Sequence, residues 1–80
     1  MKELKQLLTT SVRARFSFTK INDMWSEFYR QVTEDPGETY FRVGEHTQLW
    51  QGVPYTQEVL VKIDEHPDGK VATMLLSGEF

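Results

Sequence analysis

The chain contains no cysteine. That excludes a disulfide framework, a thiolate metal site and a cysteine nucleophile. A small domain without disulfides belongs in a reducing compartment, so a cytoplasmic location is expected. Long apolar runs are also missing. Met1 to Leu8 mixes Lys2, Glu3 and Lys5 with its leucines, and no later segment has the length of a signal-peptide core or a membrane span. No membrane partner is therefore expected. The five glycines are isolated, so there is no phosphate-binding glycine loop, dinucleotide fingerprint or nucleophile elbow. Repeats, low-complexity tracts and linkers are absent too, which leaves residues 1–80 as a single domain.

What is present is ordinary in amount and uneven in placement. Hydrophobic residues make up 39% and charged residues 26%, enough of each for a folded domain. The net charge of −3 hides an asymmetry. Residues 1–30 hold six basic and three acidic side chains, a balance of +3, whereas residues 31–80 hold three basic and nine acidic ones, a balance of −6. A basic front and an acidic back can bind each other or partners of opposite sign.

Periodicity predicts the elements. Leu4, Leu7 and Leu8 share a face at i, i+3 and i+4, which predicts a short N-terminal helix from Lys2 to Leu8, ended by Thr9, Thr10 and Ser11. Val12 to Thr19 alternates, with Val12, Ala14, Phe16 and Phe18 on one side, the pattern of a half-buried strand. Asn22 or Asp23 caps a main helix over about residues 24–33, whose apolar stripe is Trp25, Phe28, Tyr29 and Val32. Asp35-Pro36-Gly37 stops it. Thr39 to Val43 reads as a strand interrupted at Gly44 and resumed over Thr47 to Trp50, with a turn at Gly52-Val53-Pro54. Gln57 to Glu65 and Lys70 to Ser77 form a C-terminal β-hairpin around Pro67-Asp68-Gly69. A three-residue loop there pairs Ile63 with Thr73, Val61 with Leu75 and Leu60 with Leu76. The fold class is thus α+β: an antiparallel sheet of three to five strands on one main helix, with a short N-terminal helix. The short strands and tight turn of the C-terminal part resemble small SH3-like barrels such as Tudor domains in outline, a likeness that no motif residue carries and that transfers no function.

Few residues invite chemistry. His46 follows Glu45, and His66 lies near Asp64, Glu65 and Asp68, but neither spacing matches a metal or proton-transfer motif. No serine or threonine is paired with a base. The expectation is a protein that is not an enzyme and needs no cofactor. Arg13 and Arg15, on the outward face of the expected first strand and near Lys20, offer a nucleic-acid-binding surface as the alternative reading. Trp50 and Tyr55 flank a turn, and large aromatics in loops are typical binding anchors. The hairpin register leaves Leu60, Met74 and Leu76 on a face that the main helix does not cover. Trp50, Tyr55, Leu60, Met74 and Leu76 are therefore the candidate protein-binding residues. The leading expectation is an adaptor or inhibitor that binds a partner protein or self-associates through the C-terminal hairpin. Its small size suits a viral, phage or mobile-element accessory protein.

Overall fold

The computed structural model describes residues 3–79. Element order is β1 (Glu3–Leu8), α1 (Thr10–Arg15), α2 (Phe18–Glu34), β2 (Tyr40–Trp50), β3 (Val53–His66) and β4 (Gly69–Leu76), closed by a 3₁₀ turn over Ser77–Glu79. The four strands form one sheet in the order β1-β4-β3-β2. Both helices lie on one face of it, in an α+β arrangement. β2, β3 and β4 form an antiparallel meander, while β1 runs parallel to β4, so the sheet is mixed. It is open, and no SH3-like barrel closes.

The N-terminal quarter corrects the sequence pattern. The expected helix from Lys2 to Leu8 is β1, apart from Lys2, which lies outside the described residues. Two turns of helix are marginal in water, whereas the free edge of β4 supplies a ladder from Glu3↔Gly69 to Leu8↔Met74. The expected strand over Val12–Thr19 is instead α1 and the start of α2. Thr9 caps α1 by accepting the Val12 N–H, and Ser17 caps α2 by accepting the Lys20 N–H. Two hydroxyl caps eight residues apart overrule an alternation that served no buried face: Ala14 and Phe18 are exposed, and only Val12 is fully buried. The main helix is one and a half turns longer at its start than the stripe suggests. Ile21 and Met24 extend Trp25 and Phe28 at helical spacing, and Tyr29 sits at the rim, its hydroxyl hydrogen-bonded to the Gln6 amide of β1.

Phe28 is the centre of the core, packing edge-on against Trp25 and Phe41. From the sheet come Phe41, Val43, Val59, Val61, Ala72, Met74 and Leu76. The β3–β4 register differs by one residue from the expected one. Pro67-Asp68 is a two-residue loop, and Val61 opposes Met74 while Leu60 opposes Leu75. A one-residue slip exchanges the faces of a whole strand. Met74 and Leu76 therefore point into the core, and Leu75 takes the outer face with Leu60.

Candidate functional site

β2 and β3 are longer than their neighbours. β4 ends at Leu76, opposite Val59, so β3 before Val59 and β2 beyond Gly44 continue as a two-stranded arm past the edge of the sheet. At about 3.3 Å per residue the arm extends roughly 20 Å. It accounts for the elongated shape, 49 × 23 × 22 Å. The pairing is regular from Glu45↔Glu58 to Trp50↔Val53. Thr47 and Thr56 hydrogen-bond across it at 2.8 Å. The tip is a two-residue turn in which Gln51 and Gly52 both have positive φ, 52° and 81°, as a type I′ hairpin needs.

A bulge sets which side chains share a face. The register shifts between Arg42 and Gly44, so Val43 and Gly44 both oppose Val59. Odd residues of β2 (Phe41, Val43) face the helices before the bulge, and even ones do after it. Gly44 lies against Met24: a β-carbon here would meet the Met24 sulfur at 2.9 Å and oblige that side chain to move. His46 confirms the new phase by packing edge-on against Phe16, on the helix side. Gln48 with Tyr55, and Trp50 with Val53, then continue this face to the tip. Together Gln48, Trp50 and Tyr55 line a shallow hollow of about 270 Å³.

The tip is open to solvent. Leu49 is 72% exposed, Trp50 68%, Val53 63% and Tyr55 52%. Its chemistry is uniform as well: residues 46–57 include no lysine, arginine, aspartate or glutamate. The first charges are Glu45 and Glu58, opposite each other on the other face of the arm. Arg42 lies 3.1 Å from Glu45 and 3.4 Å from Glu58, which offsets their repulsion. At its base the arm is tied to the C-terminal turn. The Glu58 N–H donates to the Ser77 hydroxyl, and the Gly78 N–H donates to the Gln57 side-chain oxygen, both at 3.1 Å. The same turn holds the N-terminal corner. The Glu79 carboxylate accepts from the Leu76 N–H and from the Thr9 hydroxyl, both at 2.9 Å. The Leu76 N–H is the main reason that Glu79 is held below the usual carboxylate range; Thr9, Ser11 and Arg15 add to it against a partial desolvation.

The other residues singled out in the sequence lie elsewhere. Met74 and Leu76 are 0% and 1% exposed, so they offer nothing to a partner. Leu60 is half-buried on the sheet face away from the helices, in a row with Leu75, and shares that face with the Lys62–Asp64 ion pair. The C-terminal hairpin occupies the middle of the sheet, with β3 paired to β2 and β4 paired to β1. Arg13, Arg15 and Lys20 are exposed, but the shared strand face is not there. In α1, residues two apart point to opposite sides, and Arg15 donates to the Ser11 carbonyl. His46 and His66 sit about nine residues apart along β3, roughly 30 Å. Among the described residues no three histidine, aspartate or glutamate side chains gather as a metal site. No described helix is long and apolar enough to cross a membrane.

Comparison with known proteins adds no relative. No family model, curated protein or solved structure matches the chain.

Leu49 and Val53 belong to the tip and escaped the sequence reading. Two signals were available for them. One is the uncharged run from His46 to Gln57; the other is Gln51-Gly52, a weaker form of the Asn-Gly hairpin signature, between alternating residues.

Proposed function

We propose that this chain is a small, non-enzymatic protein-binding domain that uses the β2–β3 arm as its contact element and serves as an adaptor or inhibitor. One observation carries the reading. Leu49, Trp50, Val53 and Tyr55 are held in solvent on a regular, projecting hairpin, where burial of their own core cannot account for them. Large exposed apolar clusters on folded domains mark interaction surfaces, and tryptophan and tyrosine are the commonest binding anchors. The lack of charge supports a protein partner over nucleic acid. An arm without lysine or arginine has nothing to neutralise phosphates, and the carboxylates at its base repel them.

The test is capture from an extract of the source cells by the immobilised domain, with and without nuclease, comparing the wild type with Trp50→Ser/Tyr55→Ser. A stoichiometric protein retained after nuclease and lost with the double variant supports the reading. Retention of nucleic acid, reduced by Arg13→Ala/Arg15→Ala rather than by the tip variant, would replace it.

A further inference from the structure

We propose that the outer edge of β1 takes up an extended, acidic segment of another protein as a fifth strand, with alternate side chains of that segment entering the groove between β1 and α2 and a carboxylate meeting Arg13. The site is separate from the arm. It starts from the backbone. The Thr9 N–H donates to the Met74 carbonyl at 3.1 Å, so Lys5, Leu7 and Thr9, two apart, turn their backbone groups toward β4. The N–H and C=O groups of Leu4, Gln6 and Leu8 point the other way, and among the described strands β1 ends the sheet. Such a row is a template for a further strand. The opposite edge is a poorer one. The bulge at Val43 and Gly44 breaks the row in β2, and the Gln31 amide takes the Arg42 carbonyl at 2.7 Å.

The side chains beside the β1 edge form a receiving surface. Leu8 packs on the core and Gln6 bonds Tyr29, so the even residues of β1 face α2, and Lys5 belongs to the other face. α2 runs back along β1, with Phe18 near Leu8 and Tyr29 at Gln6. Between them lies a groove of about 590 Å³, walled by Leu8, Phe18, Ile21, Asn22 and Trp25. Phe18 is 82% exposed at its rim, although the core has no need of it there. A strand laid along β1 would place every second side chain in this groove.

Charge chooses the occupant. Arg13 is the one charged residue lining the groove, and it has no ion pair among the described residues. The first turn of α2, which opens at Phe18 on the same wall, holds no acid, so its dipole adds to the positive potential. A second copy adding through its own β1 would bring Leu4, Gln6 and Leu8 to the groove and leave Arg13 without a carboxylate. The sign therefore selects a different chain, with an acid at the Leu8 end and an apolar side chain two residues further on.

The test is a nuclear magnetic resonance titration of the full chain with the blocked peptide acetyl-Glu-Thr-Val-Thr-Leu-Thr-amide. Saturable shifts centred on the amides of Leu4, Gln6, Leu8 and Asn22 are expected, at a dissociation constant of about 1 mM or tighter. Gln6→Pro removes an outward N–H without touching the β4 ladder and should weaken binding at least about tenfold. Arg13→Ala should weaken it about threefold, and added salt should do the same. Arg13→Glu should reverse the choice between this peptide and its Lys-for-Glu counterpart. Phe18→Ser, at an exposed residue, keeps the test open should Gln6→Pro fail to fold, and should also weaken binding. Absence of saturable shifts up to about 5 mM peptide, five times the expected constant, would overturn the proposal. So would binding indifferent to Phe18→Ser and to the sign at position 13. Trp50→Ser should leave the titration unchanged, so loss of this site and loss of the arm's role are read separately.

Discussion

The two halves of the β2–β3 hairpin are built from the same pair of strands and live in different solvents. The inner half, Tyr40–Val43 with Val59–His66, places Phe41, Val43, Val59 and Val61 under α2. The outer half, 45–58, places comparable apolar side chains in water. The bulge at Val43 and Gly44 is the boundary. What differs is cover: the helical layer reaches along the arm only as far as Phe16, at the end of α1, against His46, and β4 stops at Leu76. Strand formation in the arm therefore follows from its turn and its cross-strand pairs, while stability of the domain follows from the inner half. Substitutions on either side should separate the two properties.

The largest effect is expected at the centre of the inner half. Phe28→Ala removes a fully buried ring and should cost about 3–5 kcal/mol. Against the 5–15 kcal/mol of a typical domain this brings the chain close to unfolding, and thermal melts followed by circular dichroism should show a drop of well over 10 °C. An unchanged melt would deny Phe28 its central place.

At the boundary, Gly44→Val should push Met24 off its seat and cost about 1–3 kcal/mol by overpacking. Met24→Ala in the same chain should return part of that loss, because the two residues share one space. Purely additive losses in the double variant would mean that the bulge, and not the contact, needs the glycine.

The C-terminal turn joins arm and body, and its effect depends on pH. Glu79 has a folded-state pKa below its unfolded value, so its stabilisation is present above about 4.5 and is lost as pH falls through the lowered value. Glu79→Gln should lower the melting temperature by a few degrees at pH 7, on the order of 1 kcal/mol for an exposed carboxylate with two hydrogen bonds. The gap between wild type and variant should start to shrink below about pH 4.5 and close as the Glu79 carboxylate becomes protonated in the folded protein. A gap that persists in acid would show that the carboxylate geometry matters and its charge does not.

The smallest effects on stability belong to the arm. Trp50→Ser should change the unfolding free energy by no more than about 0.5 kcal/mol when measured on the monomer. In amide hydrogen exchange, residues 45–57 should open at lower free energy than 59–64 of the same strand pair. A large melting shift in Trp50→Ser at low concentration would mean that the arm is part of the cooperative core.

Legibility in the sequence followed the number of independent local signals. The stop at Asp35-Pro36-Gly37, the helix stripe around Trp25 and Phe28, and the alternation of Val59, Val61 and Ile63 each had one period and one terminator, and each is found. The first twenty residues offered periodicity with no tertiary context. Leu4, Leu7 and Leu8 fit a helix as well as a strand, and the free edge of β4 decided between them. Trp50 and Tyr55 were legible as anchors, but exposure is a property of neighbours, and the sequence could not say that β4 ends before reaching them. Met74 and Leu76 were misplaced because a turn of two residues and one of three invert the same strand.

The sequence by itself determined an α+β domain with one main amphipathic helix, a C-terminal hairpin and no cysteine chemistry. Those properties reside in residue types and in spacings of a few positions. Only the tertiary structure decided that β1 pairs in parallel with β4, that Leu76 is core, and that the β2–β3 tip stands free. Each of those depends on where one strand ends relative to another far from it in the chain, and burial is a relation between such distant segments.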